Sequence, residues 1–301
     1  MNVVLLSGGV GGARFARGLV EAVAGRDVTV IGNVADDVEV LGLAVSPDLD
    51  SIVYGLAGLN DENRGWGRAD ESWRALETVS ALGGEDWFRL GDRDLGLHLV
   101  RTQALRGGLP LSQVTARVAA ALGIEARILP ATDDRQRTWL DTPAGSFPFQ
   151  EWFVVRGHRD EVDGVHFEGD AGPAPGVLEA LASADAILVA PSNPYVSIWP
   201  ILAVGGVREA LASRTVPCVA VSPLVGGRAV KGPADRMLAR MAGGTDPAHV
   251  ASCYEGLIDA LVVDESDPAG ELAVRRVVAR TVMTDAAASR RLAEAVLEAA
   301  A

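Results

Sequence analysis

The sequence has little cysteine, no long apolar run and no excess of positive charge. Its two cysteines, Cys218 and Cys253, lie in apolar surroundings without the spacing of a metal site, so we expect a reduced protein without disulfides. No apolar run approaches the ~20 residues of a membrane span. The first residues follow a β-strand pattern and lack the basic region and cleavage site of a secretory signal. Together these absences predict a cytoplasmic protein without a membrane segment.

The shortage of positive charge limits the classes of partner. The formal net charge is −13 at pH 7, whereas general binding of nucleic acid or of anionic membranes needs a basic surface. A nucleotide is not excluded, because a few arginines or one divalent cation can hold a diphosphate inside an acidic protein. We therefore expect small-molecule substrates and no nucleic-acid partner.

Three catalytic motifs are also absent. The sequence contains no Gly-x-Ser-x-Gly elbow, no His-Glu-x-x-His and no Gly-Lys-Ser/Thr of a Walker loop. A covalent serine hydrolase, a zinc protease and a P-loop NTPase are therefore unsupported.

Short apolar runs alternate with helical patterns along the 301 residues. Because strands that are apolar on both faces are buried on both faces, this alternation predicts a doubly wound α/β fold with a mainly parallel, Rossmann-like sheet. Residues 61–122 predict a helical insertion, and residues 137–168 predict a small antiparallel addition. We expect one domain over residues 1–301. The apolar runs lie at residues 3–6, 28–31, 126–129, 149–155, 186–190, 216–221, 261–263 and 277–282.

The first strand runs directly into a turn that contains four glycines. Residues 3–6 are apolar, and Gly8, Gly9, Gly11 and Gly12 come next, before an amphipathic segment. Without Cβ atoms, this strand-to-helix turn can take positive φ and bring its N–H groups against a bulky anion, of which phosphate is the usual example. The alternative is a tight turn that needs glycine for its geometry alone, although one or two glycines suffice for that.

The second apolar strand ends in an acidic turn. Asn33, Asp36 and Asp37 follow residues 28–31, and the carboxyl ends of neighbouring parallel strands open onto one crevice, so we expect this turn beside the glycines. A nicotinamide or flavin dinucleotide fold also places an acid at about this distance. Two observations weigh against that alternative: the third glycine of its fingerprint is missing, and the acids lie beyond the strand end.

A third polar segment carries two aspartates separated by one residue. Asp48 and Asp50 lie between the apolar residues 43–45 and 52–54. Carboxylate pairs at a cleft commonly hold Mg²⁺, which takes hard oxygen ligands and retains waters that a phosphate can replace. Alternatively, Asp48 caps a helix that begins near Ser51.

Arg93, Asn193 and Ser222 complete the set of candidates. Arg93 lies between two aspartates that can orient its guanidinium toward a phosphate or a ring carbonyl, and a charged helix cap is the alternative. Asn193 and Ser222 follow the apolar runs 186–190 and 216–221, which places them at the same crevice. A side-chain amide suits the edge of a nucleobase, whereas an asparagine between two prolines is also a typical turn former.

Taken in order, these segments resemble one known family. The combination is similar to the 2-phospho-L-lactate transferase family of coenzyme F-420 biosynthesis, whose bacterial members act as phosphoenolpyruvyl transferases. The resemblance extends from residue 1 to residue 285. Its segments are SGGVGGAR at 7–14, NVADD at 33–37, SPDLDS at 46–51, RGWG at 64–67, WFRLGDRD at 87–94, FQEW at 149–152, PSNP at 191–194, GP at 232–233 and MTD at 283–285.

The resemblance implies a reaction and a cofactor. A phospho-enolpyruvyl or phospho-L-lactyl group would move from a guanosine diphospho-linked donor to the deazaflavin FO (7,8-didemethyl-8-hydroxy-5-deazariboflavin), with release of GMP and with Mg²⁺ bound. The terminal ribitol hydroxyl of FO would attack the phosphorus, and the protein would align the reactants and stabilise the charge on the transferring group.

The same resemblance implies roles for individual residues. Asp50 and Arg93 match positions that contact the deazaflavin, and Asp50 is the candidate acceptor of the hydroxyl proton. The implied contacts of the donor nucleotide are Gly8, Gly9, Gly11, Gly12, Asn33, Asn193 and Ser222. The implied candidates for Mg²⁺ are Asp36, Asp37, Asp48 and Asp50.

Two other functions stay open. A nucleotide-sugar-binding regulator resembling the gluconeogenesis-factor family is the main alternative, but the acidic turn of that family continues into a Gly-Gly-Ser-Ser-type stretch, whereas VEVL follows here at 38–41. A nicotinamide-dependent oxidoreductase is the other. The sequence does not distinguish lactyl, enolpyruvyl and glyceryl donors, and we expect a homodimer only because dimers are the commonest soluble oligomers.

Overall fold

Seven parallel strands form the central sheet of the structure, a computed structural model that describes residues 1–301. The strands in chain order are β1 (Val3–Ser7), β2 (Val28–Gly32), β3 (Val38–Val40), β4 (Leu43–Val45), β5 (Arg127–Pro130), β6 (Arg137–Thr142), β7 (Gly145–Pro148), β8 (Gly164–Glu168), β9 (Ala186–Val189), β10 (Cys218–Val221), β11 (Leu224–Val225), β12 (Arg228–Ala229), β13 (Ala260–Asp264) and β14 (Arg275–Ala279).

Helices separate most of these strands. In chain order the α-helices are α1 (Gly9–Ala22), α2 (Pro47–Leu56), α3 (Arg74–Ala81), α4 (Asp92–Arg106), α5 (Leu111–Ala121), α6 (Val177–Ala182), α7 (Trp199–Leu202), α8 (Val207–Ala212), α9 (Ala234–Met241), α10 (Pro247–Ser252) and α11 (Ala286–Ala299). No helix combines the length and the apolar character that a membrane crossing requires.

The order of the strands reverses beside β1. The sheet runs β14-β13-β10-β9-β1-β2-β5, and all six pairings in it are parallel. The chain therefore builds one half of the sheet outward from β1 through β2, and the other half outward from β9. This is the doubly wound α/β fold that the alternating pattern predicts, and it places a crevice at the carboxyl ends of β1 and β9.

Each face of the sheet has its own apolar core. Val3 and Leu5 of β1 lie in a core with α1, α2 and α11, whereas Val4 and Leu6 lie in the core on the opposite face. Successive side chains of a strand point to opposite faces, so a strand buried on both faces reads as an uninterrupted apolar run. All four residues are at most 2 % exposed.

The segment between β2 and β5 covers one edge of the sheet. It begins with the β3–β4 hairpin, which was not predicted from the sequence, and with α2, which was considered only as a helix starting near Ser51, and it continues with α3, α4 and α5. Residues 61–122 contain helices and no strand of the four sheets, and α5 packs on the edge strand β5. A separate antiparallel sheet, β7-β6-β8, forms the predicted small addition.

One apolar run was assigned wrongly. The sequence predicted extended structure over residues 149–155, but β7 ends at Pro148 and Glu151–Val155 is a π-helical turn. Aromatic residues are typical of strands, yet here Phe149, Trp152 and Phe153 have helical spacing. The rings of Phe149 and Phe153 stack at 5.2 Å, and Trp152 is buried beside them.

Candidate active site

The glycine turn packs against the loop that follows β9. A Cβ atom at Gly11 would lie 2.8 Å from the carbonyl oxygen of Pro191. A Cβ atom at Gly12 would lie 2.8 Å from Ser192 Oγ and would overlap Ser7 Oγ. These two glycines are therefore required by close packing of the first turn of α1 on the loop after β9, at the reversal of the strand order, which is where ligands bind in this class of fold.

Gly12→Ala is expected to lower the free energy of unfolding by about 1–3 kcal/mol, because an added methyl group in a packed interior forces neighbours to move. Urea denaturation measures this. Gly96→Ala is the matched control, since Gly96 lies in α4 with nothing within 4 Å of its Cβ position. Alanine is favoured there by roughly 1 kcal/mol. Equal midpoints for the two variants would contradict the packing argument.

The N-terminus of α1 already faces an anion. Gly9 has φ +68°, in the left-handed region, and its N–H donates to Asp48 Oδ1 at 2.8 Å. Asn33 Nδ2 donates to Asp48 Oδ2 at 2.9 Å. Since α2 begins at Pro47, the alternative in which Asp48 caps a helix starting near Ser51 is wrong. Its carboxylate instead lies at the positive end of the neighbouring helix α1, where an anion is stabilised.

Asp36, Asp37 and Asp48 are crowded, desolvated carboxylates. Burial, followed by repulsion from Asp48, raises the pKa of Asp36 well above its usual range. Burial raises the pKa of Asp37 to about 7. It also raises the pKa of Asp48 to about 6, although the bonds from Asn33 and Gly9 oppose the rise. Asp36 Oδ1 and Asp37 Oδ1 are buried without a hydrogen-bond partner, so positive charge placed beside them would be stabilised.

Asp50 belongs to a different buried network. Arg101 donates from both terminal nitrogens to the two oxygens of Asp50, with Nη1 3.1 Å from Oδ2. Arg101 Nη1 also lies 3.3 Å from His98 Nδ1. His98 Nε2 lies 3.5 Å from Asp94 Oδ1, which accepts a hydrogen bond from Tyr54. Two helices are thus joined by a chain of polar groups that begins at Asp50.

Most of this network was not predicted from the sequence, although helical spacing carried a signal. Asp94, His98 and Arg101 are separated by four and three residues in α4, and Asp50 and Tyr54 by four residues in α2. Residues at such spacings share one helix face. Polar groups on one face normally indicate solvent, and only the packing of α4 shows that this face is buried.

Arg93 lies apart from Asp50. Its guanidinium is exposed and 3.7 Å from Asp70 Oδ2, and its backbone N–H donates to Glu71 Oε2 at 2.8 Å. It makes no ion pair or hydrogen bond with Asp50. The structure therefore places Arg93 at the N-terminus of α4, on the solvent side.

Asn193 lies in the loop after β9 and Ser222 directly follows β10, as the sequence predicts, and both stabilise local turns. Asn193 Oδ1 accepts from the Tyr195 N–H at 3.0 Å, and its Nδ2 donates to Met237 Sδ at 3.3 Å. Ser222 Oγ accepts from the Leu224 N–H at 3.2 Å. The turn-forming role considered for Asn193 is thus present.

A cavity opens between α1, α2 and the start of α11. Its walls include Val10 from the glycine turn, Ser51 and Tyr54 from α2, Trp66 from the loop after α2, and Met283. Four segments that are far apart in sequence, 7–14, 46–51, 64–67 and 283–285, therefore contribute to one cavity. Only six of its eighteen lining residues are hydrophobic, and five are charged, so the lining suits a polar or charged small molecule.

The sequence matches one family over almost its whole length. Residues 3–300 match the family described as 2-phospho-L-lactate transferase CofD. The chain belongs to this family. The cavity and the glycine turn are therefore features of a CofD-family protein.

Relatives of this family member carry a consistent name. A phosphoenolpyruvate transferase of Streptomyces griseus is 45% identical, covering 99% of this chain and 98% of the relative. One of Streptomyces coelicolor is also 45% identical, with 99% and 97% covered. One of Thermobifida fusca is 42% identical, with 89% and 87% covered.

Solved structures support the fold alone. Two crystal structures of a UPF0052 family protein from Bacillus halodurans resemble this CofD-family chain with TM-scores of 0.67 and 0.66. Both are 18% identical in sequence and cover 98% of this chain, and 98% and 99% of the other.

Proposed function

We propose that this protein transfers a phospho-enolpyruvyl or phospho-L-lactyl group from a guanosine diphospho-linked donor to the deazaflavin FO and releases GMP. The observation that carries the proposal is the match to the family over residues 3–300, together with relatives named phosphoenolpyruvate transferase. The cavity beside the glycine turn supports it, since a transferase must hold donor and acceptor side by side.

The donor is assigned to the crevice at the carboxyl ends of β1 and β9. Backbone N–H groups at the start of α1 suit a diphosphate, and Asn193 and Ser222 lie at the ends of the adjacent strands. In the structure the Gly9 N–H is bonded to Asp48. Binding of the diphosphate there would therefore replace or rearrange one carboxylate contact.

The acceptor is assigned to the cavity. Trp66 provides flat apolar surface for a ring system beside Tyr54. Asp50 precedes the wall residue Ser51 in α2, but its carboxylate faces Arg101 and does not line the cavity. In this proposal Asp50 accepts the proton of the attacking hydroxyl, and Arg101 holds its carboxylate in a fixed orientation. Arg93 does not line the cavity and has only the exposed Asp70 as a partner, so a contact with the deazaflavin would need the ligand to extend beyond the cavity to the start of α4.

Of the four aspartates considered for Mg²⁺, two have oxygens that are free to bind it. No group of three His, Cys, Asp or Glu side chains is arranged to hold a metal ion, but Mg²⁺ commonly takes one or two carboxylates and completes its shell with water and substrate phosphate. Asp36 and Asp37 offer the unpaired oxygens, whereas those of Asp48 and Asp50 are engaged by Asn33 and Arg101. Bound there, the ion would offset negative charge on the transferring phosphoryl group.

The reaction is tested by incubating the protein with FO, Mg²⁺ and, in turn, the lactyl, enolpyruvyl and glyceryl forms of the guanosine diphospho-linked donor. We expect GMP and a phosphorylated deazaflavin by mass spectrometry with at least one donor. Chelation with EDTA should stop the reaction, and excess Mg²⁺ should restore it. GDP without the three-carbon acid is the control and should give no product. Failure with every donor would reject the transferase, and GMP formation unaffected by EDTA would reject the role of Mg²⁺.

A further inference from the structure

Each of the three carboxylates that line the cavity accepts a hydrogen bond, and two of them are paired with arginines. Asp61 lies 2.6 Å from Arg64 Nη2, and Glu62 lies 2.7 Å from Arg17 Nη1. The third, Asp285, accepts from the backbone N–H of Ala288 at 2.8 Å and caps α11. Asp61 and Glu62 are thus paired with other arginines, Asp285 accepts from neutral donors, and none of the three forms an ion pair with Arg14 or Lys231.

Two cations beside Gly65, a residue of the cavity wall, have no carboxylate partner: Arg14, which also lines the cavity, and Lys231, which lies behind Gly65. Arg14 Nη1 donates only to the carbonyl oxygen of Met283, at 3.4 Å, and Lys231 Nζ only to the carbonyl oxygen of Gly65, at 2.9 Å. Neither forms an ion pair with any Asp or Glu. A guanidinium has five N–H donors and an ammonium has three, so most of the donors of both groups remain free.

These two cations also converge. A Cβ atom at Gly65 would overlap Lys231 Nζ and would lie 3.8 Å from Arg14 Nη2, so both side chains reach the same residue of the cavity wall. Partial burial and then the charge of Arg14 lower the pKa of Lys231. The chain has 40 acidic and only 27 basic residues, and Lys231 is its one lysine. Two like charges that meet without an acid are characteristic of a site for an external anion.

The cavity itself indicates which anion this is. Arg14 shares the cavity with Val10 of the glycine turn and with Ser51, the neighbour of Asp50. This inference rests on the function proposed above, in which the transferred group must lie between the glycine turn and Asp50. Its three-carbon acid carries a carboxylate that needs a cationic partner. We propose that Arg14 and Lys231 bind the carboxylate of the three-carbon acid of the donor.

The experiment compares three ligands by isothermal titration calorimetry: GDP, guanosine diphospho-linked lactate, and the same compound with its carboxylate converted to a carboxamide. The unmodified protein should bind the carboxylate form about 10- to 100-fold more tightly than the carboxamide, as hydrogen bonds to a charged group contribute about 1.5–3 kcal/mol. Lys231→Met and Arg14→Met should reduce this ratio at least several-fold and leave the affinity for GDP unchanged.

A matched control separates this role from general electrostatics. Arg17→Met removes another cavity arginine of α1, but one that is paired with Glu62, and should leave the carboxylate-to-carboxamide ratio unchanged. Lys231→Arg keeps the charge, so this variant should still bind the carboxylate ligand more tightly than the carboxamide, although by a smaller factor than the unmodified protein. Lys231 is exposed, so its variants are expected to fold normally.

Three outcomes would overturn the inference in distinguishable ways. An unchanged ratio in both methionine variants means that another group binds the carboxylate. An equal loss of affinity for all three ligands, GDP included, means that the two cations contact the diphosphate. Absence of binding by any of the three ligands to the unmodified protein would reject the proposed function and the inference together.

Discussion

Arg101→Met is expected to lower the free energy of unfolding by about 3–5 kcal/mol, the usual cost of leaving one partner of a buried ion pair uncompensated. Arg101 is 3 % exposed and Asp50 is 5 % exposed, so little water can replace the lost partner. Chemical denaturation of the unmodified and variant proteins measures the difference. Turnover should also fall, because Asp50 loses the group that fixes its orientation.

Arg93→Met is the matched control for stability. Both arginines lie in α4, but Arg93 is exposed and its ion pair with Asp70 spans 3.7 Å. Exposed pairs contribute about 0–1 kcal/mol, so this variant should unfold close to the unmodified protein. A similar loss in both variants would show that any change in α4 is destabilising and would contradict the special role of Arg101.

The double variant Asp50→Asn/Arg101→Met separates stability from chemistry. Removing both charges should recover part of the stability lost in Arg101→Met, since no uncompensated charge remains buried. Turnover should stay low, because the proposed proton acceptor is gone. Asp50→Asn alone, if it kept normal turnover and normal FO binding, would reject the role of Asp50 as base.

The second large effect concerns pH. Without Mg²⁺, the stability of the protein should fall as the pH rises from 5 to 8. Burial raises the pKa of Asp37 from 3.8 to about 7 and that of Asp48 to about 6. The folded state therefore binds more protons than the unfolded state between pH 4 and pH 7. Stability is greatest below the unfolded pKa and is lost as the pH rises through the folded pKa.

Asp37→Asn removes one of these titrations and should reduce the loss between pH 5 and pH 8 by about 2 kcal/mol, because a pKa difference of one between the folded and unfolded states corresponds to about 1.36 kcal/mol. Acids whose pKa is lowered, such as Asp264 and Asp285, destabilise the folded protein only when they are protonated below pH 4. They do not contribute to the loss of stability between pH 5 and pH 8. Denaturation at several pH values gives the slope of the free energy of unfolding against pH for the unmodified protein and for Asp37→Asn. Asp170→Asn, at an exposed carboxylate without a hydrogen bond, is the control and should keep the original slope.

The Asp37→Asn variant should also be more stable than the unmodified protein at pH 8 and yet inactive, if Asp37 holds Mg²⁺. Added Mg²⁺ should stabilise the unmodified protein more at pH 8 than at pH 5, because the ion binds deprotonated carboxylates. Parallel slopes for Asp37→Asn and the unmodified protein would show that Asp37 does not titrate in this range.

Part of the fold was visible in the sequence because its signals are local. Strands of the central sheet are buried on both faces, so runs such as 28–31 and 186–190 stand out without any knowledge of their neighbours. The hairpin β3–β4 did not stand out, because it is short and only partly buried. Residues 149–155 were assigned wrongly because their aromatic composition favours a strand. The aromatic residues have helical spacing, and the segment forms a helical turn.

The family, the doubly wound sheet and the polar segments at the carboxyl ends of its strands follow from the sequence alone, because motif order and strand periodicity are properties of the chain. Which polar groups meet depends on the tertiary structure. It paired Asp50 with Arg101, brought Asp48 to the start of α1, left Arg93 at the surface, and joined Arg14 and Lys231 across 217 positions of sequence. This division arises because a side chain's partner depends on how whole helices pack, and no local pattern specifies that packing.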